Sequence, residues 1–117
     1  MATVEAGGLV FEAEPRTLGD DGAPALLVFG DVNGKPLQLL RFDCFRQAPH
    51  FHYDPTGRNE LNPITDSSDP VAWTMEQVRS RLNEMVRTAG YSEVADKTDM
   101  DAVSAAADGI ETALRSQ

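Results

Sequence analysis

The chain has 117 residues, of which 41% are apolar and 25% charged, and its net charge is −9. That suffices for a single domain (1–117) with a modest core, and it argues against broad nucleic-acid binding or docking on an anionic membrane. One cysteine, Cys44, excludes an internal disulfide framework. With no basic leader and no run of about 18 apolar residues, the expected setting is a reducing cytoplasm.

The acidity is spread along the chain. Residues 1–70 carry 11 acidic and 5 basic side chains, and residues 71–117 carry 8 and 5, so it reads as a solvated surface rather than a tail. Residues 1–8 read as a frayed entry segment, Gly7-Gly8 adding no stiffness. Leu9, Phe11 and Ala13 alternate on one face of a first strand over 9–14. Residues 15–24 read as a loop. Gly19-Asp20-Asp21-Gly22 lacks the alternating ligands and distal Glu of a calcium loop, and is expected to be a solvated turn.

Residues 25–30 are continuously apolar, as in a central strand. Asn33-Gly34 supplies the two positive-φ positions of a type I′ turn. Strands over 37–45 and 50–54 follow, giving a four-stranded, mostly antiparallel meander with the first strand beside the second. Residues 55–59 read as a turn, and 60–70 as an extended polar connection.

Two helices close the chain. Thr74 with Gln77 three residues on fits a capping box, and Asp69-Pro70 is a competing start. Met75, Val78, Leu82, Met85, Val86 and Ala89 form the apolar stripe, with Gly90 as the C′ residue and Trp73 wedged against the sheet. Residues 91–97 read as a connector. Thr98 or Asp99 caps a second helix to about residue 114, expected to dock on the first helix or on a partner subunit. The fold class is α+β: a β-meander packed by a helix, plus a second C-terminal helix.

The chemistry concentrates in residues 39–55. Side chains alternate along a strand, so Leu40, Phe42 and Cys44 share one face and Arg41 and Asp43 the other. On the next strand His50, His52 and Asp54 oppose Phe51 and Tyr53. Only an even loop keeps polar beside polar. A turn at 47–48 or 46–49 would pair Asp43 with His52, Arg41 with Asp54, Phe45 with His50, Phe42 with Tyr53, and Cys44 with Phe51. The result is an aromatic face and an ionisable face of Arg41, Asp43, His50, His52 and Asp54, with Arg58 in the adjacent turn.

Three functions fit that face. His50, His52 and Asp43 form a two-His-one-carboxylate set for a divalent metal. Alternatively, His50 and His52, with Asp43 beside them, do acid–base work on a phosphodiester while Arg41 stabilises the developing charge. In the third, the residues are cross-strand pairs in a protein-interaction or regulatory module, a homodimer or one bound to a small partner, and this is the favoured expectation, with no catalysis required. Cys44 is expected to be buried and inert.

Asn33-Gly34-Lys35, Arg41-Phe42-Asp43, His50-Phe51-His52 and the helix opening at Thr74-Met75-Glu76-Gln77-Val78 resemble the layout of small bacterial proteins, among named groups the TumE-like toxin-component family. The likeness covers residues 25–89. Cys44-Phe45 departs from the pattern, and residues 90–117 are additional. The resemblance implies a toxin–antitoxin setting and a ribonuclease-like role, without catalytic residues to transfer.

Overall fold

The computed structural model describes residues 1–65 and 68–117. It is an α+β fold with a six-stranded antiparallel meander: β1 (Ala2–Ala6), β2 (Leu9–Leu18), β3 (Asp21–Val32), β4 (Lys35–Asp43), β5 (His50–Tyr53) and β6 (Glu60–Pro63), paired in sequence order. Three helices follow: α1 (Pro70–Thr88), α2 (Ser92–Lys97) and α3 (Met100–Arg115). Among the described residues no helix is long and apolar enough to cross a membrane.

The sheet therefore has two more strands than expected. Residues 2–6 are a strand because Gly7 and Gly8, both at positive φ, make a tight turn that folds β1 back on β2. Residues 60–63 pair with β5 and form the far edge. Of the extended connection expected over 60–70, residues 66 and 67 lie outside the described residues. The loop expected over 15–24 is mostly strand, since β2 and β3 continue through it and turn at Gly19-Asp20. Pro15 pairs with Pro24 there. β1 ends at the level of Ala13 and β4 at the level of Ala25, so neither missing N–H costs a bond to the strand outside it.

One face of the sheet carries the helices. α1 lies over β4 and β5, α3 over β1 to β3, and the two helices pack on each other. The core between them includes Leu9, Phe11, Leu26, Val28, Phe42, Met75, Leu82, Val103, Ile110 and Leu114. A bulge in β4 leaves Leu39 without an opposite residue, because Val28 pairs with Leu40 while Phe29 pairs with Gln38. The bulge re-phases the strand, so Leu37 and Leu39 before it and Leu40 and Phe42 after it all reach the core. Gln38, Arg41 and Asp43 are thereby left on the opposite face.

α1 begins at the second of the two expected starts. Asp69 is the N-cap, accepting from the Ala72 N–H at 3.1 Å, with Pro70 in the first turn. Thr74 lies inside the helix and is fully buried against Cys44, its Oγ1 3.5 Å from Sγ. Trp73 stacks on Phe51 at 5.4 Å between helix and sheet, as expected. Gly90, at φ 106°, ends the helix. Residues 92–97, expected as a connector, form α2, and Asp99 caps α3 through the Ala102 N–H.

Candidate metal centre

The site is built on β4 and β5, whose register is Leu40 with Tyr53, Arg41 with His52, Phe42 with Phe51 and Asp43 with His50. The expected parity holds, and over the paired residues 40–43 and 50–53 the aromatic and ionisable side chains fall on opposite faces. The pairing is displaced by two residues, since Asp43 lies opposite His50 rather than His52. The connecting loop is longer than either expected turn, running over 44–49, and it is also even. Phe45 has left the strand for this loop, where its ring meets His50 edge-on at 5.5 Å.

Asp43 is the hub, with its side chain 2% exposed. Its Oδ2 lies 3.0 Å from His50 Nε2, 3.4 Å from His52 Nε2 and 3.1 Å from Arg41 Nε. Its Oδ1 lies 3.5 Å from Arg16 Nε. Arg16 belongs to β2, two strands from β4. It reaches across because the β3 residues opposite it and opposite Glu14 are Ala23 and Ala25, which leave space above the sheet. Nothing in the local pattern around Arg16 marked it, because those residues read as a loop.

The two imidazoles are 4.9 Å apart, ring edge to face, and both are largely enclosed. His50 Nδ1 lies 2.9 Å from the Ala48 carbonyl oxygen. A carbonyl only accepts, so Nδ1 carries a proton, and Nε2 is the ring nitrogen turned to Asp43. A lone pair and a carboxylate oxygen at 3.0 Å repel unless a cation lies between them, either a proton or a metal ion. Neither ring nitrogen of His52 makes an in-line hydrogen bond among the described residues. Burial and then the neighbouring Arg41 charge lower the pKa of His52, against upward pulls from Asp43 and the Asn59 side chain. His52 is therefore held as the neutral, metal-competent imidazole.

One donor atom from each of Asp43, His50 and His52 lies within 4.8 Å of the others. Donors about 2.1 Å from one ion stand about 3.0 Å apart along an octahedral edge and about 3.4 Å apart along a tetrahedral one. Those are the separations found between Asp43 Oδ2 and the two histidines.

Two nominated residues lie elsewhere. Asp54, at φ 53°, leaves β5 and turns away from Arg41. Its carboxylate accepts from the Tyr91 hydroxyl and the Arg58 N–H, tying the 55–59 turn to the junction between α1 and α2. Burial alone would raise the Asp54 pKa, but these bonds and the Arg58 charge hold it below the usual range. Arg58 Nη2 donates to the Thr88 carbonyl at 2.9 Å, on the helix side of the sheet. Asp21, expected in a solvated turn, is buried and binds the 44–49 loop.

No curated protein and no solved structure matches the chain. A family model does, over residues 3–114, which takes in the site and nearly all of the sheet and of α3. The chain belongs to that family, a domain of unknown function, DUF7700.

Proposed function

We propose that this domain is a small metal-dependent regulatory module. It binds one divalent first-row transition ion, such as Zn²⁺ or Fe²⁺, through Asp43, His50 and His52. The observation carrying this reading is the convergence of the three donors within 4.8 Å, with His50 held by Ala48 so that its Nε2 faces Asp43. Ligating histidines commonly donate their other N–H to a backbone carbonyl in this way. Three protein donors leave coordination positions open. Arg41 and Arg16 offset the Asp43 charge and keep the affinity moderate.

The test is metal content by mass spectrometry in protein purified without added metal, followed by zinc titration calorimetry. One ion per chain is expected, lost in His50→Ala and His52→Ala with the circular dichroism unchanged. Wild-type protein that takes up no zinc, iron or manganese at micromolar concentration would overturn the reading.

A second reading is favoured by Arg16 joining Arg41 beside the histidines, which sets two guanidiniums and two imidazoles on one face. There the domain acts on RNA as a toxin component, with His50 or His52 transferring the proton. Growth arrest and RNA cleavage on expression, abolished by His52→Ala in folded protein, would support it over the metal module.

A further inference from the structure

Asp21 and His50 are distant in sequence and joined by one continuous chain of hydrogen bonds. The Asp21 carboxylate stands at the start of β3 and is buried against the 44–49 loop. It accepts from three successive backbone N–H groups: Arg46 at 3.0 Å on Oδ1, Gln47 at 3.0 Å and Ala48 at 3.2 Å on Oδ2. Three converging N–H groups form an anion-binding concavity, here filled by the protein's own carboxylate. Ala48 is held at both polar groups, since its N–H is on Asp21 and its C=O accepts from His50 Nδ1 at 2.9 Å. The loop is pinned at its ends as well, by Cys44 N–H on the Pro24 carbonyl and by Ile64 N–H on the Pro49 carbonyl.

We infer that Asp21 is a positioning residue for the metal centre: it fixes the Ala48 carbonyl, and that carbonyl selects the Nδ1–H tautomer of His50 and aims Nε2 at Asp43. Without the carboxylate, three N–H groups lose their shared acceptor and the loop keeps only the bonds at its ends, which do not fix the Ala48 oxygen at the ring. His50 is then free to take the other tautomer, with a proton on Nε2 where an ion must bind. Its consequence for affinity rests on the metal-binding reading; the tautomer selection does not.

The test pairs two measurements on wild type, Asp21→Asn, the conservative Asp21→Glu, and Asp20→Asn as a turn control. Long-range proton–nitrogen NMR on metal-free protein reads directly whether His50 Nδ1 carries a proton. Zinc titration reads the affinity. Wild type and Asp20→Asn are expected to show the Nδ1–H form. Asp21→Asn is expected to lose it and to bind zinc roughly 10–100-fold more weakly. Asp21→Glu is expected to recover part of both. A change in packing alone would not select one ring proton over the other. An unchanged tautomer in folded Asp21→Asn overturns the inference, and if that variant does not fold, an unchanged tautomer in Asp21→Glu with its displaced carboxylate does so. If wild type takes up no zinc, the metal reading falls and the NMR comparison alone decides the role of Asp21.

Discussion

Asp43 gathers the site because its carboxylate has almost no access to water, so its charge must be answered by neighbours. Arg41 does this at 3.1 Å, and it opposes any added cation for the same reason. A charge of +1 and an ion of +2 about 5 Å apart repel by about 1.7 kcal/mol even at the dielectric constant of water. Arg41→Gln is accordingly expected to tighten zinc binding by about tenfold, read by competition with a chromogenic chelator. Weaker binding in that variant would mean that Arg41 supports the site rather than restrains it. Cys44 behaves as its apolar neighbours suggested: burial, with Asp43 nearby, pushes the thiol up to about 11 against an opposing contact from Thr74. That leaves about a hundredfold less thiolate than in an ordinary cysteine. Alkylation at neutral pH should therefore track unfolding in denaturant, with little labelling of the native protein.

At the scale of elements, parity in the β4–β5 hairpin was legible from residues 40–44 and 50–53, because a strand has only two faces. The register was not, because any even loop satisfies parity and the segment itself carries no sign of Asp21, the outside partner that binds the loop. The bulge at Leu39 was equally hidden, since Leu37, Leu39, Leu40 and Phe42 are all apolar and fit either phase. Caps were more readable. Asp69→Ala removes the acceptor for the Ala72 N–H and one partner of Arg115, and should cost about 1 kcal/mol in thermal or denaturant unfolding. Gly7 illustrates a contact that local reading cannot supply. A Cβ there would stand 2.5 Å from the Asp99 carbonyl and 2.7 Å from Val103, in a residue at φ 62°. Gly7→Ala should destabilise by more than 1 kcal/mol, about the glycine-to-alanine penalty where φ is positive. A smaller loss would show that β1 can draw back from α3 without consequence.

For the whole molecule, Asp21 and Asp54 are ties between segments far apart in the chain, and both titrate abnormally. Burial alone would raise Asp21, but the N–H groups of Gln47, Ala48, Arg46 and Gly22 together hold it below the usual carboxylate range. Asp54 is lowered in the same sense. A carboxyl lowered on folding stabilises the native state above its unfolded pKa, here 3.8, and loses that contribution as the pH falls through the lower folded value. The melting temperature should thus hold above about pH 4 and drop steeply below it. In Asp54→Asn the drop should be shallower and the neutral-pH stability lower. An equally steep acid limb in that variant would show that other carboxylates govern it.

The sequence by itself determined what depends on near neighbours along the chain: antiparallel strands joined by short turns, the apolar stripes of α1 and α3, and the separation of aromatic from ionisable residues. Alternation and helical periodicity are local, so a window of a few residues reveals them. The tertiary structure alone decided that Asp43 meets His50, that Arg16 crosses β3 to reach it, and that Asp21 shapes the loop holding His50. Those contacts join residues from different strands, and strand register and loop closure are set by the packing of the whole sheet against its helices.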